Sequence, residues 1–387
     1  MQGGKRVNAG RKSVSLKEKK VGFKVYLTPE LQEEINYYGV GASFSEKCAN
    51  LIAKRIQEEK ESFDSTIRFI DLFAGLGGIR LGFEEGLREV GLEAKCVFSS
   101  EWDKYCQESY NLNFGEIPYG DITKIDEKDI PSFDILCAGF PCQPFSISGK
   151  QKGFEDTRGT LFFDIVRIVS YHKPKIIFLE NVKNLKAHNG GATFKVISKT
   201  LDSLNYNIYY KVLNAKDFNL PQNRERITIV CIRKDIDNGM FKFPKSSKNF
   251  VTISDIKEDD SVTEKYILNR EDIHIDEKKL SDAIKNGKVS KPLQIGIIGK
   301  GGQGNRIYHE NGIGITLAAS SGGAASKTGA YYINGKIRKL SPREAARLQG
   351  FPEKFKIIEN DNQSLKQFGN SVPINLLKEV FKGLKDI

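Results

Sequence analysis

The segment Gly139-Phe140-Pro141-Cys142-Gln143-Pro144-Phe145-Ser146 sets one cysteine between two prolines, just after the apolar run Phe133-Asp134-Ile135-Leu136-Cys137-Ala138. That pattern predicts a thiol on a stiff loop at a strand's end, where α/β chains aim reactive groups into a crevice. A thiolate there can attack an electron-poor centre covalently, and Cys142 is the candidate nucleophile. A second candidate follows the apolar strand Lys175-Ile176-Ile177-Phe178-Leu179, which ends in Glu180-Asn181-Val182. A glutamate emerging from such a strand has its pKa raised by burial, which suits a general acid or a protonated hydrogen-bond donor. Gln222-Asn223-Arg224-Glu225-Arg226 precedes the strand Ile227-Thr228-Ile229-Val230-Cys231-Ile232. Its two arginines suit phosphate binding or the orientation of an anion, and a structural ion pair with Glu225 is the alternative for either one.

These groups need a scaffold and a second reactant. The buried-strand run Ile67-Arg68-Phe69-Ile70-Asp71-Leu72-Phe73 leads directly into Ala74-Gly75-Leu76-Gly77-Gly78, a turn that allows close approach of a ligand to backbone. About 25 residues on, the strand Cys96-Val97-Phe98-Ser99-Ser100 ends in Glu101-Trp102, a carboxylate for ribose hydroxyls and an indole for an adenine face. Asp121, in Gly120-Asp121-Ile122-Thr123, is placed for an adenine amino group. The turn lacks the full GxGxxG spacing and no Walker lysine follows, so an adenosine-containing cofactor without a pyrophosphate is expected.

Composition narrows the class. The chain of 387 residues is long enough for two or three domains, and its charge of +11 favours a polyanionic partner. The six cysteines (Cys48, Cys96, Cys106, Cys137, Cys142 and Cys231) show no CxxC pair and no zinc spacing, so a reducing cytoplasm and no structural metal are expected. No apolar stretch approaches the roughly 20 residues of a membrane span, and the basic amino terminus lacks the apolar core of a signal peptide. A soluble, non-secreted protein is the expectation.

Four segments are expected. Residues 1–24 hold eight Lys/Arg and one acid, Glu18, and read as a basic arm. Val21, Phe23, Val25 and Leu27 alternate with Gly22, Lys24 and Tyr26 as a strand; Thr28-Pro29 then starts one helix, and Ser43-Phe44-Ser45-Glu46 caps a second. Strand, helix and helix within residues 1–65 resemble the ribbon-helix-helix DNA-binding module, which pairs two chains and would turn Lys24 and Tyr26 towards bases. A small helical cap is the competing reading. An α/β body over 66–244, an irregular β-rich insert over 245–335 and a return segment over 336–387 follow.

Six ordered blocks carry a wider resemblance. They are Phe73-Ala74-Gly75-Leu76-Gly77-Gly78, Pro141-Cys142-Gln143, Glu180-Asn181-Val182, Gln222-Asn223-Arg224-Glu225-Arg226, Arg343-Glu344-Ala345-Ala346-Arg347-Leu348-Gln349-Gly350-Phe351-Pro352 and Gln367-Phe368-Gly369-Asn370-Ser371-Val372. Together, over about residues 67–387, they resemble the DNA cytosine-5 methyltransferases, and the runs 145–156 and 301–308 resemble the HhaI type.

The resemblance implies a Rossmann-like, mixed and mostly parallel sheet, with residues 245–335 as a target-recognition domain. It implies S-adenosylmethionine as cofactor, held by Phe73, Gly75, Leu76, Gly77, Gly78, Glu101, Trp102, Asp121, Ile122, Pro141, Leu161, Asn370 and Ser371. Cys142 would add to carbon 6 of a flipped-out cytosine, Glu180 would serve the ring nitrogen at position 3, Asn181 would fix the pocket, Arg226 would meet the carbonyl oxygen, and Arg224 would support it or touch phosphate. Ser146 and Ser148 would lie on a mobile catalytic loop, while Gln303, Arg306 and Thr316 would contact double-stranded DNA. The implied target is GCGC within a restriction-modification system, although Ala318-Ala319-Ser320-Ser321 departs from the HhaI type, which has a tyrosine in that loop. The alternatives weighed are a transfer-RNA cytosine-5 methyltransferase and a DNA-binding autoregulator acting through residues 1–65. The catalytic body is expected to be monomeric, with dimerisation possible through the amino-terminal module.

Overall fold

The computed structural model describes residues 26–141, 161–247, 249–302, 304–320 and 322–386. Side chains 56–65 and 386 are excepted. Contacts divide the chain into two units at Ser65/Thr66.

In the first unit, α1 (Pro29–Tyr38) and α2 (Phe44–Ser65) form the two expected helices. Thr28 caps α1 by accepting from Leu31 N, and Ser43 Oγ accepts from Glu46 N at the start of α2. Glu46 reaches back to Ala42 N, one residue before its expected partner. Helix α1 buries none of its residues. The expected strand, with Lys24, lies outside the described residues up to Val25; Tyr26 is non-strand and exposed.

The second unit is built on buried apolar runs. Strands β1 (Ile67–Leu72), β2 (Ala94–Ser100), β3 (Ile135–Gly139), β4 (Ile176–Val182), β5 (Tyr206–Asn214) and β6 (Glu225–Arg233) form a sheet ordered β2-β1-β3-β4-β6-β5. The first four are parallel, whereas β6 runs antiparallel to both β4 and β5. Helices cover both faces, as the near-continuous hydrophobic strands require. On one face α3 (Gly78–Arg88) packs with residues from the carboxyl-terminal end, Phe83 lying 4.8 Å from Phe381 between ring centroids. The helix α4 (Lys104–Phe114) follows β2, while α5 (Leu161–His172) and α6 (Ala192–Ser203) supply Phe162, Ile165, Val169, Ile197 and Leu201 to the core on the other face. Because β2 and β3 lie on opposite sides of β1, the chain reverses direction there and opens a crevice at the strands' carboxyl ends.

Beyond the body, α7 (Asp260–Thr263) and α8 (Glu277–Lys285) accompany five short strands: β7 (Ile273–Ile275), β8 (Gln294–Ile298), β9 (Arg306–His309), β10 (Ala330–Ile333) and β11 (Lys336–Lys339). Their sheet, ordered β11-β10-β9-β8-β7, buries Ile295, Ile298, Ile307 and Ala330 against Ala283 and Ala325. The chain then returns through α9 (Pro342–Leu348), α10 (Asp361–Asn370) and α11 (Ile374–Lys382) to complete the core beside α3.

Candidate active site

The strand ends converge on one cleft of about 660 Å³. Phe73, Gly75, Leu76, Gly78, Glu101, Trp102, Asp121, Ile122, Pro141, Leu161, Asn370 and Ser371 line it, as do Glu180, Asn181, Arg224 and Arg226. Every expected cofactor residue except Gly77 therefore borders the same space. Gly77 works from behind: its φ is +85°, and a Cβ there would fall 2.2 Å from the Phe114 ring, so only glycine fits under that aromatic.

The turn after β1 is held by the carboxylate that follows β2. Glu101 Oε2 accepts from Gly75 N at 2.8 Å, and its Oε1 accepts from Asp103 N at 2.8 Å. Burial pushes the Glu101 pKa up, against these backbone donors. Phe73 keeps a left-handed backbone, φ 57°, a strained state for a residue with a Cβ that clusters at functional sites. Asp121 accepts from the Thr123 hydroxyl and amide, which hold its carboxyl below the usual range. Trp102, the chain's one tryptophan, is 78% exposed at the cleft, so a flat aromatic ligand has an indole face to cover. An exposed indole, two carboxylates and a backbone turn open to close approach fit a nucleoside-bearing cofactor. Among the described residues no group of three His, Cys, Asp or Glu is placed to hold a metal ion.

Deeper in the cleft, Glu180 and Asn181 lie in the last residues of β4, the strand end where the sequence reading has them. Glu180 forms an ion pair with Arg226 of β6, Oε1 to Nε 3.2 Å. Burial raises the Glu180 pKa, and the two arginines oppose that rise in part. Asn181 Nδ2 donates to Phe140 O at 2.8 Å, fixing the backbone two residues before Cys142. Cys142, Ser146, Ser148 and Gln303 lie outside the described residues.

Arg224 departs from its expected place. It is 2% exposed, and its guanidinium donates to the carbonyls of Leu317, Gly369 and Ser371. A guanidinium so engaged does not present itself to phosphate, so the phosphate-contact reading is corrected to a tether between segments. The alternative reading, an ion pair of either arginine with Glu225, does not hold, since Glu225 pairs with Lys183. Thr316 likewise donates its hydroxyl to Asn223 O at 2.5 Å. Arg306 begins β9, exposed and outside the cleft lining.

One buried group escaped the sequence reading. Asp71 of β1 is fully buried, and burial pushes its pKa up to about 8 against the nearby Arg80, whose charge and backbone N–H both favour the carboxylate. An acid within an apolar strand run gave no signal beyond its charge.

Comparison with known proteins gives consistent results. The model of the C-5 cytosine-specific DNA methylases matches residues 67–386. The chain is 51% identical over 323 residues to the type II methyltransferase M.HhaI of Haemophilus parahaemolyticus, covering 84% of this chain and 95% of that protein. It is 47% identical over 315 residues to M.HaeII of Haemophilus aegyptius, covering 80% and 90%. M.BsuFI of Bacillus subtilis is 38% identical over an alignment of 430 residues that takes in all of this chain and 97% of that protein. Among solved structures, a Dnmt2 from Spodoptera frugiperda superposes with a TM-score of 0.62 at 18% identity, over 82% of this chain and 99% of that one, and shares the fold. No described helix is long and apolar enough to cross a membrane.

Proposed function

The chain belongs to the C-5 cytosine-specific DNA methylases, and on that premise we propose that Cys142, Glu180, Asn181 and Arg226 carry its chemistry on a cytosine drawn out of a GCGC site. It is a DNA cytosine-5 methyltransferase of the restriction-modification type, with S-adenosylmethionine as methyl donor. The observation that carries the residue assignment is the convergence of the Glu180–Arg226 pair and the Asn181–Phe140 hydrogen bond at the end of β3, one residue from Pro141-Cys142.

Carbon 5 of cytosine is too poor in electrons to attack a methyl group unaided. The Cys142 thiolate adds to carbon 6, and the ring electrons move towards carbon 5 as an enamine. Glu180, whose carboxyl burial keeps protonated more readily than usual, donates to ring nitrogen 3 and stabilises the negative charge that the addition creates. Arg226 orients the carbonyl oxygen and holds the Glu180 side chain in the cleft. S-adenosylmethionine supplies an electrophilic methyl group on a sulfonium. With the methyl group on carbon 5, loss of the carbon 5 proton to a base or water and expulsion of the Cys142 thiolate from carbon 6 restore the aromatic ring.

Carbon 6 is stacked inside a duplex, so the base leaves the stack at a cost of a few kcal/mol. Residues 245–335 would read the flanking bases, with Arg306 forked on a guanine and Gln303 filling the space the cytosine leaves. The 51% identity to M.HhaI supports GCGC. A duplex carrying 5-fluorocytosine in GCGC tests the chemistry: fluorine cannot leave as the proton does, so a protein–DNA adduct stable in detergent should accumulate with wild type and not with Cys142→Ser.

A second activity has an observation of its own. Helix α1 buries no residue, Leu31, Tyr37, Tyr38, Val40 and Ile52 are exposed, and none of the described side chains of residues 26–55 is buried. Pairing of two copies through residues 1–65 would bury these side chains and set two basic arms on one DNA.

A further inference from the structure

Gln222 and Arg224 grip the backbone of Leu317 from both sides. Gln222 Oε1 accepts from Leu317 N at 3.1 Å, and Arg224 Nη1 donates to Leu317 O at 3.1 Å. The same two side chains also hold the return segment. Gln222 Nε2 donates to Leu348 O at 3.1 Å, while Arg224 Nη2 donates to Gly369 O at 3.0 Å and Ser371 O at 2.5 Å. Both residues are buried, 0% and 2% exposed, so each lost hydrogen bond would strand a polar group away from water.

The two gripped segments belong to different binding surfaces. Leu317 follows Thr316 in the stretch of the insert assigned to DNA, whereas Gly369 and Ser371 line the cofactor cleft. They also meet directly: a Cβ on Gly369 would fall 2.5 Å from the Ala318 carbonyl carbon, leaving no room for a side chain between them. Neither segment shifts without the other or without breaking buried bonds.

We infer that Gln222 and Arg224 form a joint through which DNA on the insert and cofactor in the cleft strengthen each other's binding. A shift that one ligand imposes on its own segment is carried through these bonds to the other segment, so each ligand changes the other's affinity by the same factor. The inference rests on the reading of residues 245–335 as the DNA-contacting part. Both are positioning residues, since their polar atoms face backbone and not a reacting centre.

The test measures coupling between the two ligands on the full chain. Anisotropy of a labelled GCGC duplex gives DNA affinity with and without S-adenosylhomocysteine, and Trp102 fluorescence gives S-adenosylhomocysteine affinity with and without the duplex. Wild type should show the same tightening, at least about fivefold, from both directions. Gln222→Leu, which keeps the side-chain volume, and Arg224→Lys, which keeps the charge, should each bring that factor below about twofold while each ligand alone binds within about threefold of wild type. A factor unchanged in Gln222→Leu, or a wild-type factor near one, overturns the joint whether or not Arg224→Lys folds. A wild-type protein that binds GCGC and scrambled duplexes alike overturns the assignment of the insert instead, and the same titration reads it.

Discussion

Glu180 of β4 and Arg226 of β6 meet diagonally across an antiparallel pair, Oε1 to Nε 3.2 Å, in a cleft where the glutamate is buried and the arginine partly so. The arginine draws the carboxyl towards ionisation while burial drives it the other way, and burial is the larger effect. A carboxyl held in this balance gives up its proton less readily than an ordinary glutamate.

Replacing Glu180 with Gln should lower kcat by about 10²- to 10⁴-fold, the usual worth of a positioned proton donor, with duplex affinity largely retained. Wild-type kcat should fall as pH rises through the raised Glu180 pKa, because the deprotonated carboxylate no longer donates. Single-turnover rates across pH check both; an alkaline limb that survives unaltered in the Gln variant would remove Glu180 from this role.

Asp71 predicts a pH dependence of stability. Its folded pKa of about 8 lies above its ordinary value, so the folded state holds the proton while the unfolded chain has released it. The stability from that proton is complete below about pH 4 and is lost as pH rises towards 8. Asp71→Asn should therefore flatten the decline in urea midpoint between pH 5 and pH 8 (about the window the two pKa values bracket). An unchanged slope would show that Asp71 ionises normally.

At Gly77, alanine must place a Cβ 2.2 Å from the Phe114 ring and keep φ at +85°. Overpacking alone should destabilise the fold by about 1–3 kcal/mol, and the displaced turn should weaken cofactor binding. Gly77→Ala with Phe114→Ala should recover part of the loss in thermal melting, since the second change removes the clashing ring.

Trp102 makes cofactor binding visible without turnover. Being the chain's one tryptophan and 78% exposed, it should shift and quench in a saturable way on adding S-adenosylhomocysteine. Glu101→Ala should weaken that titration by raising the midpoint, having lost the support of Gly75 N. A flat emission trace would place the adenosine elsewhere.

Deletion of residues 1–65 bears on the exposed side chains of α1 and α2. Light scattering should give a mass above the monomer for the full chain and a monomer for the shortened one, with methylation retained. Monomers in both cases would leave the amino-terminal unit as a cap.

The lining of the cleft was legible because its polar groups stand at the ends of apolar runs, as with Glu101 after β2 and Glu180 at the end of β4. Strand ends announce themselves in a sequence; partners far along the chain do not. Arg224 looked like an anion contact because its carbonyl partners lie 93 to 147 residues away. The partner of the Thr316 hydroxyl, Asn223 O, lies 93 residues away and was equally invisible. The strands of the insert, three to five residues long, are too short to show a period, so only an irregular β-rich region could be read there.

The most direct test is bisulfite sequencing of a plasmid carrying GCGC among many other sites, after incubation with S-adenosylmethionine and either the wild-type chain or Cys142→Ser. One cytosine protected in every GCGC, with none protected by the variant, is the predicted result. Protection that persists in Cys142→Ser would contradict the central claim that this thiol attacks the base.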